Sequence, residues 1–331
     1  MKTFHNLFLE IISLENLLAS WEEFTLGKKS KPDVQAFSFA LMDNIIQLHN
    51  DLKDKSYKHE EYYAFHITDP KPRHIHKATV RDRVLHRAIY RVLYPIFDAT
   101  FIADSYSCRK EKGTHVAMER FERFSLKVTE NNTRTAWVLK CDIKKFFANI
   151  DQAILLQSLT KRISDTEVLG LIERVLESFD SGSSRKGLPL GNITSQLFAN
   201  VYMNELDQFV KHELQNKYYI RYADDFIFLS QTKEELLSIL PSVQNFLEIK
   251  LKLSVHPDKI KLKTLASGID FLGFVHFPYH RVLRTTTKKR MMRKIQEKPE
   301  NPTLQSYLGL MKHGDTFKKQ KEALNWYWLN Q

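Results

Sequence analysis

Two short apolar runs, YYIRYA ending at Ala223 and FIFL beginning at Phe226, enclose the adjacent acids Asp224 and Asp225. Runs of this length and composition read as strands of a buried sheet. A separation of two residues is that of a tight hairpin. A carboxylate, however, is among the costliest groups to remove from water. Asp-Asp is not the Asn-Gly pair that such turns favour, so turn chemistry explains the acids poorly. Taken alone, the pair is most simply a solvated acidic turn.

The surrounding pattern changes that reading. WVLKC, from Trp137, reads as a strand and leads into Asp142. Helical stretches follow at about 152 to 179 and 194 to 215, then the hairpin, a helix over about 232 to 248, and LKLSV as a returning strand. Strand, helix, strand, strand, helix, strand is the order of the split β-α-β, ferredoxin-like arrangement, which lays the strand ending at Asp142 beside the hairpin. Asp142, Asp224 and Asp225 then converge, and without cations each would raise the pKa of the others. Oxygen-only ligands select a hard ion, magnesium first, with manganese the alternative. Two such ions about 3.5 to 4 Å apart clamp the attacking and leaving oxygens of a phosphoryl displacement.

The rest of the chain supplies context. Leu41, Ile45, Leu48 and Leu52 recur at helical spacing after a GKKSKPD break, so the first fifty residues are expected to be helical. Extended segments flank DPKP, and Thr79 is placed to cap a helix burying Val84, Ala88, Val92 and Ile96. In GNITSQLFANVY, Thr194 is the expected cap of a helix whose buried face carries Phe198, Val201, Leu206 and Phe209. After GIDFLGFVHF the chain becomes basic and helical. With 50 Lys and Arg against 39 Asp and Glu the net charge is +11, which favours a polyanionic partner. Cys108 and Cys141 form no CxxC pair, so neither a disulfide framework nor a zinc site is indicated and a reducing cytoplasm is expected. Glu10 and Glu15 break the apolar N-terminal run, no small-residue cleavage site follows it, and no stretch reaches the roughly 18 apolar residues of a membrane span. No membrane partner is expected.

DIKKFF (Asp142–Phe147) and YADD (Tyr222–Asp225) resemble the palm motifs of the reverse transcriptases. GLPLGNITSQLFANVYMNELDQF between them resembles that family's template and nucleotide positioning segment, and FLGF at 271 to 274 its primer grip. The resemblance implies an α+β, right-hand polymerase architecture: N-terminal helices and hairpin fingers over 1–135, a ferredoxin-like palm over 136–275 that carries the positioning segment 181–215, and a small helical thumb over 276–331. It implies an RNA-directed DNA polymerase in which Asp142, Asp224 and Asp225, with Ile143, hold two magnesium ions while a primer 3′-hydroxyl attacks the α-phosphorus of a deoxynucleotide. Phe147 matches the steric gate against a ribose 2′-hydroxyl, with Phe146 a core residue. Lys71 and Arg73 resemble triphosphate-binding fingers residues, and Lys259 resembles the lysine that protonates pyrophosphate. Arg81 and Arg83 are weaker matches. Leu190, Gly191, Ser195 and Gln196 fall at the nucleotide, while Phe271, Leu272 and Gly273, with Lys288, Lys289 and Arg290 of TTTKKRMMRKI, fall at the primer and template. For each basic residue a solvated surface position is the competing reading. YLGLMKHGD resembles a thumb segment containing Tyr307 and His313. Implied partners are a template RNA, the RNA and DNA hybrid, deoxynucleoside triphosphates and a small basic accessory protein.

Most reverse transcriptases have glutamine before the glycine of this third motif and proline after its serine; here Leu190 and Gln196 stand instead. LPLGNITSQ and SLENLLASWEEFTLGKK resemble the enzymes of diversity-generating retroelements, which copy RNA with frequent errors at adenine. Leucine lacks glutamine's hydrogen bonds, and losing a polar contact relaxes discrimination. A retron or phage-defence enzyme, and a structural RNA-binding factor like the splicing maturases, are the alternatives.

Overall fold

The computed structural model describes residues 3–69, 72–179, 185–297 and 300–329. In chain order its helices and strands are α1 (Leu7–Ile12), α2 (Leu14–Thr25), α3 (Pro32–Phe39), α4 (Leu41–Lys53), β1 (Tyr63–Ile67), β2 (Arg73–Lys77), α5 (Val80–Asp98) and α6 (Thr114–Val128). Then come β3 (Trp137–Asp142), α7 (Phe146–Asn149), α8 (Gln152–Thr160), α9 (Thr166–Glu177), α10 (Ile193–Gln208), β4 (Tyr219–Tyr222), β5 (Asp225–Ser230) and α11 (Lys233–Leu251). The rest is β6 (Lys261–Thr264), β7 (Ile269–Phe271), β8 (Phe274–His276), β9 (Arg281–Leu283), α12 (Thr285–Glu297), α13 (Asn301–Met311) and α14 (Phe317–Leu329). The chain divides into two compact units. One comprises Met1–Ala103, Ile143–Glu213 and Val243–Ser254; the other comprises Asp104–Asp142, Leu214–Ser242 and Val255–Gln331.

The first unit is mainly helical. Ile45, Leu48 and Leu52 face inward from α4, as their spacing requires. Thr79 caps α5, its hydroxyl accepting from the Asp82 amide. Asp165 caps α9 and also accepts the Leu7 and Phe8 amides, so one carboxylate serves the starts of two helices. β1 and β2 form an antiparallel hairpin with Ile67 opposite Arg73.

The second unit holds a four-stranded antiparallel sheet in the order β4-β5-β3-β6, the ferredoxin-like order. Val138, Ile220, Ile227 and Leu229 on one face pack with Ala117, Phe121, Phe124 and Val128 of α6. The alternate residues Leu139, Cys141, Tyr219, Phe226 and Phe228 are buried as well, so β3, β4 and β5 are covered on both faces, whereas the edge strand β6 alternates. The fourth strand is not LKLSV. Lys252 takes a positive φ of 48°, and the Leu253 amide turns back to the Leu247 carbonyl, which ends α11. Leu253 and Val255 are buried outside any strand, and the edge strand is Lys261–Thr264. A further sheet, β7-β8-β9, precedes three helices packed around Met291, Ile295, Leu304, Met311 and Tyr327. No described helix is long and apolar enough to cross a membrane.

Candidate active site

β3 and β5 pair so that Asp142 lies directly opposite Asp225. Side chains two apart on a strand share a face, so Lys140 and Asp142 project together. Tyr222 pairs with Asp225, which makes Ala223 and Asp224 the turn itself. The sequence reading put both acids at the tip; the register places Asp225 one residue inside the strand. Ala223 adopts the left-handed conformation, φ 56°. Arg221, fully buried, donates from Nη1 to the Ala223 carbonyl at 3.1 Å and from Nη2 to Ser105 Oγ at 2.9 Å. A guanidinium under the turn thus fixes the backbone that presents Asp224.

The acids are crowded. Burial first, and then the charge of Asp142, push the Asp224 carboxyl up to about 6. Asp225 is raised by burial, which Lys140 opposes and the neighbouring Asp142 reinforces. Lys259 Nζ sits 2.6 Å from Asp142 Oδ1, and Lys140 Nζ lies 3.5 Å from Asp225 Oδ2. Lys140 also donates to the Asp270 carbonyl. The same burial raises the Cys141 thiol to about 12, so it stays protonated and packs as an apolar group. Among the described residues no group of three or more His, Cys, Asp or Glu forms a ready-made metal cage. The donors at this strand end are carboxylate oxygens facing one another with too little positive charge, and that chemistry fits a hard divalent cation. Ile143, the residue after Asp142, has a buried side chain, so only its backbone is suited to join such a set.

Lys259, for which a role at pyrophosphate and a solvated surface position compete on sequence alone, sits on Asp142. Lys140 and Arg221 are site residues that the sequence pattern does not single out. The signal for Lys140 was its place two residues before Asp142 on one strand face; nothing local distinguished Arg221 from any strand arginine.

The remaining expected residues of the first unit are arranged around α10. The His76 amide donates to the Leu190 carbonyl at 2.9 Å, so the loop before α10 pairs with β2. Gly191 has φ +119°, a backbone that favours glycine, and a Cβ there would also press on Ile75 Cγ2 at 3.2 Å. Thr194 is not the cap. Asn192 occupies that position, without a side-chain cap bond, while Thr194 Oγ1 lies 2.5 Å from Nδ1 of the buried His86. Burial holds that imidazole down at about 3, and its Nε2 meets His59 Nε2 at 3.1 Å. Thr194 is therefore consumed by a buried polar chain running from α5. Ser195 is buried and Gln196 exposed on the same helix. Phe147 is half-buried against Phe146, a core residue, and its carbonyl accepts the Leu188 amide at 2.8 Å. Arg73 is exposed on the hairpin, whereas Lys71 lies outside the described residues. Arg81 and Arg83 are held by Asp51 and Asp33, each at 2.6 Å, and so are structural ion pairs.

In the second unit, Phe271 is fully buried, and Leu272 and Gly273 form a two-residue turn with φ of 50° and 89°. The Gly273 carbonyl accepts the Arg284 amide, tying this turn to the start of α12. On α12, Lys289 is exposed, Lys288 and Arg290 are half-buried, and Met291 and Ile295 face the core. His313 stacks on His115 with ring centres 3.6 Å apart, and Tyr307 packs on the helical cluster.

The sequence signature described as reverse transcriptase (RNA-dependent DNA polymerase) matches residues 66–276, spanning both palm motifs, the positioning segment and the FLGF turn. The chain belongs to the reverse transcriptase family. It is 28% identical to protein YkfC of Escherichia coli K12 over 260 residues, covering 67% of this chain and 66% of YkfC. It is 25% identical to the group II intron-encoded protein LtrA of Lactococcus lactis over 324 residues, covering 77% of this chain and 52% of LtrA. The chain thus spans between half and two thirds of these relatives. Among solved structures, apo telomerase from Candida tropicalis superposes with a TM-score of 0.50 at 13% identity, covering 73% of this chain and 60% of that one. That likeness concerns the fold, a right-hand polymerase.

Proposed function

We propose that the protein is an RNA-directed DNA polymerase that extends a primer on an RNA template. Asp142 opposite Asp225, with Asp224 in the adjoining turn, is the observation that carries this reading. In this reading, residues 1–135 act as fingers, 136–275 as palm and 276–331 as thumb. The reaction forms a bond from the primer 3′-oxygen to the α-phosphorus of a deoxynucleotide and breaks the bond to the pyrophosphate oxygen. Asp142, Asp224 and Asp225 would hold the divalent ions, magnesium or manganese, whose charge favours the attacking alkoxide and the departing phosphate. Lys259, paired with Asp142, is the nearby proton donor for pyrophosphate. Arg221 holds the turn in register, and Phe147 excludes a ribose 2′-hydroxyl. Arg73 and Lys71 bind the triphosphate, and the residues of the FLGF turn and α12 bind primer and template.

Asp224→Ala, assayed by extension of a DNA primer on RNA with magnesium, is expected to lose about a hundredfold or more in rate. Equal extension by parent and variant would overturn the reading. Retained RNA binding by a parent that makes no DNA would point instead to a structural RNA-binding role.

Leu190 and Gln196 support a finer reading: an error-prone copyist of the diversity-generating class, working with a small basic accessory protein. Leu190 offers only its backbone carbonyl to β2, so its side chain brings no polar group to the template or the nucleotide. A dedicated noncoding RNA beside the gene, rather than a near-repeat differing at adenines, would place it with retrons or defence enzymes.

A further inference from the structure

A cavity of about 270 Å³ in the first unit opens beside the start of α10, lined by Lys28, Arg83, Arg87, Gly191, Asn192 and Gln196, among others. Three cations meet there at the N-terminus of a 16-residue helix, which itself carries partial positive charge. Burial, then the nearby Arg87 and Arg83, hold Lys28 below the usual lysine range. Asp33 pairs with Arg83, and Glu23 lies 3.7 Å from Arg87. Among the described residues, Lys28 Nζ meets the Phe24 carbonyl, at 2.8 Å, and the Phe24 ring.

The second observation is Asn192. It is 2% exposed, and neither its amide nitrogen nor its amide oxygen has a hydrogen-bond partner among the described residues. An asparagine at this position ordinarily caps the helix; this one does not. Two orphaned polar atoms of opposite character, buried at a cationic cavity, are a cost that a ligand would remove. A phosphate offers only acceptors and would satisfy the Asn192 nitrogen but not its oxygen. A ribose 2′-hydroxyl donates and accepts, and in RNA it lies beside the phosphate.

We propose that this cavity binds one ribonucleotide unit of an RNA strand, its phosphate held by Lys28 and Arg87 and its 2′-hydroxyl by the side-chain amide of Asn192. The proposal rests on the reading that the chain works on RNA, and it makes Asn192 a residue that distinguishes RNA from DNA by the sugar rather than the base. His86 lines the same cavity, but both of its ring nitrogens are engaged by Thr194 and His59, so it braces the wall.

The test uses the full chain and an RNA strand annealed to a DNA primer, which fixes the register, without nucleotides. Single 2′-deoxy substitutions are walked along the RNA and affinity is read by fluorescence anisotropy. One position is expected to weaken binding by the parent about fivefold to tenfold, the worth of one or two hydrogen bonds. Asn192→Ala is expected to bind the all-RNA strand as weakly as the parent binds that substituted strand, and to show no further loss at that position. Asn192→Ser, which keeps a polar group at the helix start, should fall between them. Lys28→Gln and Arg87→Gln should each weaken RNA and DNA templates alike and reduce the salt slope by about 0.7 to 0.9. A flat 2′-deoxy profile for the parent, or a profile in Asn192→Ala that still dips at the same position, overturns the proposal. Primer extension by the parent, run alongside, decides the polymerase reading separately: a parent that extends with a flat profile sinks only this site.

Discussion

Lys259 and Lys140 stand on the two partners of the Asp142 and Asp225 pair, and their distances differ in kind. At 2.6 Å Lys259 makes a charge-assisted bond to Asp142, whereas Lys140 at 3.5 Å is a looser neighbour whose direct hydrogen bond goes to the Asp270 carbonyl. Lys259 is about two-fifths exposed and can leave its partner; Lys140 is held. Lys259→Met is therefore expected to lower the single-turnover rate by about 10- to 100-fold with unchanged thermal stability, and Lys259→Arg to recover less than half of it. An unchanged rate would make the pair a resting contact. Leu190→Gln bears on fidelity at the same scale: the added amide is expected to lower errors opposite template adenine severalfold, and sequencing the products of both proteins would reveal an unaltered spectrum if the leucine has no such part.

At the scale of elements, Asp165 joins the starts of α1 and α9. Its burial alone would raise its pKa, but the amides of Phe8, Val168, Leu7 and Glu167 outweigh that and leave it below the ordinary carboxylate range. A carboxyl depressed in the folded state stabilises above its unfolded pKa, near 3.9, and loses that stabilisation as pH falls through the folded value. Asp165→Ala is expected to cost about 1 kcal/mol in urea unfolding at pH 7, with the gap to the parent shrinking below about pH 4. A gap that persists undiminished at pH 3 would assign the loss to packing. The strands and helices themselves were legible because their apolar spacing and turn residues are local signals: the palm order, the Thr79 cap and the inward face of α4 all follow from them. LKLSV was misread because an apolar pentapeptide is buried equally well outside a sheet, and only the positive φ of Lys252 and the return of Leu253 end the helix there. α6 went unread although Ala117, Phe121, Phe124 and Val128 recur at helical spacing. Thr194 was misplaced because His86, 108 residues away, takes its hydroxyl, and no sequence window contains that partner. The pairing of Lys259 with Asp142 is non-local in the same sense.

For the whole molecule, the net charge of +11 is a statement about partners rather than fold. Affinity for an RNA and DNA hybrid is expected to fall steeply with salt, each neutralised phosphate contributing about 0.7 to 0.9 to the logarithmic slope. Replacing Lys288 and Lys289 by Gln should reduce that slope by about 1.5 and leave the melting temperature unchanged. A slope that does not move would leave α12 a hydrated basic face. The division of the chain into two interleaved units has a separate consequence. The first unit draws on residues as late as Ser254, and the second begins at Asp104, well before the first is complete. On the ribosome, at about 5 to 20 residues per second, the amino-terminal helices would wait on the order of ten seconds or more for their last partners. A nascent chain in that interval would display unsatisfied apolar surface, so the order of the segments predicts that synthesis benefits from chaperones. Splitting the gene anywhere between Asp104 and Ser254 would leave both bodies incomplete.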